Sequence, residues 1–253
     1  MKISASSYAE RRPFPQWRFL QLTLVILTWI AIMPLLEERW SGHVAMQVLL
    51  FDLLLVTLWA NPQWGRLRVV VLGLWALSLA ASISSMLGLA RGWIRIENTL
   101  DVAFMIPVTL ACVIGVATFA FKAHRPTIDG VFAMVVAYLL IAMTFAELYY
   151  LALIWNPDAL KLLAPIDTLL PHELRSQLVY FSVITLSTVG YGDILPASDT
   201  ARTLAMLEAV VGQFFVAVVV AMFVSLYTTH SIEERARARD EAARRERAQD
   251  PPG

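Results

Sequence analysis

The chain has 253 residues, of which 58% are hydrophobic and 16% charged, and its mean hydropathy is +0.63. Soluble domains carry about 25% charged residues, so this balance excludes an ordinary water-soluble domain and predicts a polytopic membrane protein. The formal net charge of +0 leaves no global field to attract nucleic acid, and the single cysteine, Cys112, excludes a disulfide framework or a cysteine-based zinc site.

Residues 1–18 read as a cytoplasmic arm. Arg11-Arg12 ahead of an apolar run resembles a twin-arginine signal, but no small-residue cleavage site follows, so the run at 19–36 is expected to stay as a first transmembrane helix. Further spans are expected at 44–60, 67–90, 100–121, 131–155 and 201–229. Each is long enough to cross about 30 Å of hydrocarbon at about 1.5 Å per residue. In the second span, Asp52 is an intramembrane acid expected to pair with a cytoplasmic arginine or to mark a water-filled crevice. Arg91 and Arg95, four residues apart, precede the fourth span and read as loop charges. The fourth span itself contains Asp101 at its edge and no Lys or Arg, so the membrane potential has nothing to pull on. Residues 19–121 are therefore expected to form a four-helix membrane domain without gating charges.

Beyond the fifth span, a shorter apolar segment at 174–186 cannot cross and is expected to re-enter the membrane, since irregular backbone at that depth must be buried in protein or reach water. It leads into Thr188-Val189-Gly190-Tyr191-Gly192-Asp193, which lies between two long apolar spans. The charged tail, 230–253, carries acid-before-base pairs such as Glu233/Arg237 and Glu241/Arg245, which favour an exposed helix, and is too short to form a ligand-binding domain. Lys and Arg concentrate in the arm, in the loops at 66–68 and 122–125 and in the tail, which predicts that both termini are cytoplasmic.

TVGYG at 188–192 resembles the selectivity filter of potassium channels, and residues 131–229 are similar to the helix–pore loop–helix module of bacterial six-span members. The five-residue run is the known filter sequence itself, so the reading is a motif match. The resemblance implies an all-α membrane protein with six transmembrane helices, a re-entrant pore helix and filter loop, and a tetrameric pore. It implies potassium bound at Thr188, Val189, Gly190 and Tyr191, with Gly192 completing the filter. One loop cannot enclose an ion, so three further copies are expected around one axis within the lipid bilayer of the cell (inner) membrane.

The resemblance also assigns supporting roles. Glu147 would brace the outer pore by bonding backbone near the start of the last span, and Thr185 and Asp193 would support the filter. Ile184 and Phe181 occupy the positions read as Asp193's usual partners and can donate nothing to it. Gly212 would be a gating hinge, or alternatively a small residue for close packing. Glu208 and Gln213 would line the cavity, or contact pore-helix hydroxyls such as Ser182. The expected function is passive potassium conduction with no cofactor beyond the permeant ion, no catalysis and no strong voltage gating. The alternatives are voltage gating through an atypical sensor, or service as the membrane subunit of a potassium transport system.

Overall fold

The computed structural model describes residues 18–32, 41–87, 94–121, 127–166, 169 and 171–249. The arm at 1–17, the loop arginine Arg91 and residues 122–126 of the link to the fifth span lie outside them, as do the side chains of the tail.

Among the described residues, seven α-helices follow the apolar runs. They are α1 (Arg18–Ile32), α2 (Ser41–Ala60), α3 (Gly65–Leu87, entered through a 3-10 turn at Pro62–Trp64), α4 (Ile94–Phe121), α5 (Ile128–Trp155), α6 (Pro171–Leu186) and α7 (Asp199–Gln249). Stretches of four helices, at Pro62–Ser84, Asn98–Phe121, Ile128–Trp155 and Asp199–Ser225, are long and apolar enough to cross a membrane. The apolar stretches described in α1 and α2, Phe19–Thr28 and Leu50–Trp59, are shorter. The chain is a mostly helical membrane protein.

It is not wholly helical. Leu160–Lys161 (β1) pairs antiparallel with Leu195–Pro196 (β2), Leu160 opposite Pro196, and the amides of Ala197 and Ser198 both donate to the Ala159 carbonyl. This clip ties the loop after α5 to the segment entering α7, and the all-helical expectation missed it. Two-residue strands leave no periodicity to read.

Helix α5 is the shared wall of two buried clusters. One gathers Phe19, Ile26, Leu50, Leu54, Val108 and Leu140 from α1, α2, α4 and α5. The other gathers Tyr149, Leu153, Leu178, Phe181 and Ile194 around α5 and α6, with Val102 from α4. At the start of α1, the Phe19 amide donates to Asp129 Oδ1 (3.0 Å), fixing α1 to α5.

Lipid gives helices little hydrophobic reason to associate, so polar ties and close packing hold them together. Asn61 shows both. Its Nδ2 donates to the carbonyls of Thr57 and Gly115, its Oδ1 accepts from Thr118, and its carbonyl accepts from Arg68. A Cβ at Gly115 would collide with Thr57 and Trp64. Asp52 is exposed on α2, and no bond to a cytoplasmic arginine is seen among the described residues.

Gly115→Ala therefore drives α4 away from α2. We expect a loss of about 1–3 kcal/mol, the usual cost of overpacking, read as a lower thermal midpoint of the detergent-solubilised protein.

Candidate functional site

The loop between α6 and β2 is built by returning its amides to the helix it leaves. Val189 and Gly190 both donate to the Ile184 carbonyl (2.9 and 3.1 Å), and Thr188 donates to the Thr185 carbonyl (3.0 Å). The last carbonyls of a helix lack intrahelical partners, and here the loop supplies them. Thr188, Gly190 and Gly192 all have positive φ (59, 53 and 78°), alternating with Val189 and Tyr191. Glycine enters that region without penalty, whereas Thr188 is a non-glycine residue held there. Among the described residues, no hydrogen bond is donated to the carbonyls of residues 188–192. The result is a short exposed strand with anchored amides and unclaimed oxygens.

Asp193 follows. Its Oδ2 accepts from the Tyr180 hydroxyl at 2.6 Å and its Oδ1 from the Ile194 amide at 3.0 Å. Ile184 and Phe181, the positions read as its usual partners, donate nothing to Asp193, and a different residue supplies the bond. The donor is Tyr180, four residues before Ile184 and so on the same helix face. Phe181 is turned toward α5, edge-on to Tyr149 with ring centroids 4.9 Å apart. The Tyr180 hydrogen bond holds the Asp193 carboxyl below its ordinary range, and the same bond pushes the Tyr180 hydroxyl up to about 12.

Behind α6, Glu208 of α7 is wholly buried. Its Oε2 accepts from the Tyr149 hydroxyl at 2.8 Å, and its Oε1 bonds Ser182, which also lies 2.6 Å from the Ala142 carbonyl. The alternative of a cavity-lining carboxylate is corrected by this burial. Glu208 joins α5, α6 and α7. One turn later, a Cβ on Gly212 would stand inside van der Waals contact of the Leu186 carbonyl oxygen. Gly212 is thus where α7 crosses the end of α6 most closely, and α7 runs unbroken through it. Gln213 is exposed beside it, and its Nε2 donates to Thr188 Oγ1 at 3.3 Å. Thr185 contributes its backbone carbonyl.

The expectation for Glu147 also changes. It does not bond backbone near the start of α7. Its Oε1 accepts from Arg175 Nη1 at 2.5 Å, and Arg175 Nη2 reaches Asp101 Oδ2 at 3.2 Å. Sequence reasoning missed Arg175, Tyr180, Tyr149 and Asp101 as partners. A basic residue early in a re-entrant apolar helix was the available signal for Arg175, and a hydroxyl-bearing aromatic eight residues before Thr188 was the signal for Tyr180.

Comparison with known proteins points to the same segment. A family described as ion channel matches residues 133–229, which span α5, α6, the TVGYG loop and the apolar part of α7. Over 57 residues the chain is 40% identical to the two pore potassium channel a of Oryza sativa subsp. japonica. That match takes in 22% of this chain and only 15% of the length of that relative. No solved structure matches. Residues 133–229 are therefore similar to an ion-channel domain, set within a helical membrane protein.

Two outcomes follow from this geometry. Tyr180→Phe removes the donor to Asp193. An acid with a depressed value contributes stability above the ordinary carboxylate range and loses it as pH falls through the folded-state value. In the variant the folded-state value moves back toward the ordinary carboxylate range, so the contribution is smaller and its loss is complete at a higher pH, which a carbon-13 titration of labelled aspartate will read as an upward shift. Tyr149→Phe leaves a buried carboxylate oxygen short of its donor and should cost about 1–3 kcal/mol, seen as a lower thermal midpoint.

Proposed function

We propose that this chain is one subunit of a homotetrameric potassium-selective channel that conducts passively down the electrochemical gradient. The observation that carries the reading is the loop at 188–192, with alternating positive φ, anchored amides and carbonyls that receive no donor. These carbonyls are exposed in the single chain, and once assembly takes them out of bulk water they need a partner. A dehydrated cation supplies one when several such strands face a common axis, and the TVGYG run is the potassium-channel filter sequence. Potassium then binds in rings formed by Thr188, Val189, Gly190 and Tyr191, with Gly192 closing the outer end.

Each chain contributes one such strand, so four copies surround the axis. The apolar face of α7, which includes Met206, Val210, Phe214 and Val218, supports that assembly because it lies next to the loop and is exposed among the described residues. In this reading α1 to α5 and α7 cross the cell membrane, both termini are cytoplasmic, and α6 re-enters from outside. The stretch of α4 from residue 100 to 121 has no Lys or Arg, which supports a current that follows voltage without steep activation.

Reconstitution into planar bilayers, with potassium on one side and sodium on the other, tests this. We expect reversal near the potassium equilibrium potential and nearly instantaneous current; an unselective current would overturn the reading. Gly190→Ala has room for its methyl group but is forced to keep φ near 53°. The left-handed region costs an L residue about 1–2 kcal/mol, so potassium-over-sodium selectivity should fall roughly tenfold.

A further inference from the structure

Arg175 stands in the second turn of α6 with its guanidinium divided between two carboxylates of different parts of the chain. Nη1 binds Glu147 on α5, within the segment similar to ion channels, and Nη2 binds Asp101 on α4, outside it. The Tyr150 ring lies beneath the guanidinium, 4.5 Å from its carbon to the centroid. Asp101 is itself held. Its Oδ1 accepts from Ser78 (2.7 Å) and Ser82 (2.9 Å) on α3, and Ser82 accepts from Gln47 (3.2 Å) on α2. One connected polar chain thus runs from α2 through α3 and α4 to α6.

We propose that Asp101 is a positioning residue for the TVGYG loop, acting through Arg175, and that the four-helix domain bears on the pore at this outer clasp. The proposal rests on the channel reading given above. Both carboxylates and the guanidinium are largely buried. Removing one partner of such a pair leaves an uncompensated charge that the membrane interior cannot solvate. The ends of α4 and α6 therefore move together. Arg175 lies nine and ten residues along the helix from the carbonyls of Ile184 and Thr185 that hold the loop, about 14–15 Å at about 1.5 Å per residue. A helix that short transmits a shift at its first turns to its last. α4 also meets α5, where Thr144 Oγ1 donates to Thr109 Oγ1 at 3.2 Å, but Arg175 sits on the helix that leads directly into the loop.

The test uses full-length protein in bilayers, comparing wild type with Asp101→Asn, Asp101→Glu and Arg175→Lys. Asparagine keeps an oxygen for Ser78 and Ser82 but loses the charge facing Arg175. Under sustained conduction we expect the potassium current of Asp101→Asn to decline about tenfold faster than wild type, and to be slowed by raised external potassium, which occupies the loop. Asp101→Glu should recover most of the wild-type time course. A merely structural role would lower the yield of assembled protein without making the decline sensitive to external potassium, and that result overturns the proposal. If Asp101→Asn does not assemble, Arg175→Lys, which keeps charge but loses the fork reaching both carboxylates, must show the same signature. Wild-type kinetics in these variants, with selectivity intact, overturn the inference and leave the channel reading standing. A wild-type protein that does not prefer potassium over sodium overturns both.

Discussion

Everything near the TVGYG loop depends on one division of labour in the backbone between 184 and 192. The amides of Thr188, Val189 and Gly190 turn back to the last carbonyls of α6, while the carbonyls that follow receive nothing. Such a strand is stable only if α6 is fixed, because a moving helix end would release the amides and let the strand relax. The surrounding structure can be understood as the means of fixing it.

Three polar attachments do so, one for each face or end of the helix. Arg175 ties the first turns of α6 to Glu147 and Asp101. Midway along, Ser182 meets Glu208, which Tyr149 also holds. Tyr180 reaches over the loop to Asp193, so the helix and the far end of the loop are joined directly. At the far end Gly212 lets α7 approach the Leu186 carbonyl more closely than any side chain would permit. Where water is scarce, a buried polar group without a partner costs several kcal/mol, and this makes polar pairs more position-specific than apolar contacts. The same logic operates away from the TVGYG loop, where Asn61 gathers α2, α3 and α4.

The corrections have a common cause. The sequence reads Asp193 only against Ile184 and Phe181, and Glu147 only against backbone, because in each case a position is matched to a pattern without knowing which way its helix faces. A rotation of one residue, about 100° on a helix, separates Tyr180 from Phe181, and it decides which of them meets Asp193 and which packs on Tyr149. Glu208 was assigned two candidate environments for the same reason. Its sequence neighbours are apolar either way, and only the crossing of α7 behind α6 buries it.

The sequence by itself determined the helical membrane character, the approximate bounds of the apolar runs and the position of the TVGYG loop. These follow from local composition, since about 20 apolar residues are readable wherever they occur and two glycines at fixed spacing permit the backbone that the loop adopts. It also determined that α4 carries no basic charge across residues 100–121. Only the tertiary structure decided the partners: Arg175 with Asp101 across 74 positions, Tyr149 with Glu208 across 59, and the two-residue clip between β1 and β2. Such pairs depend on helix rotation and crossing, which are set by packing summed over the whole bundle. No window of sequence contains that sum.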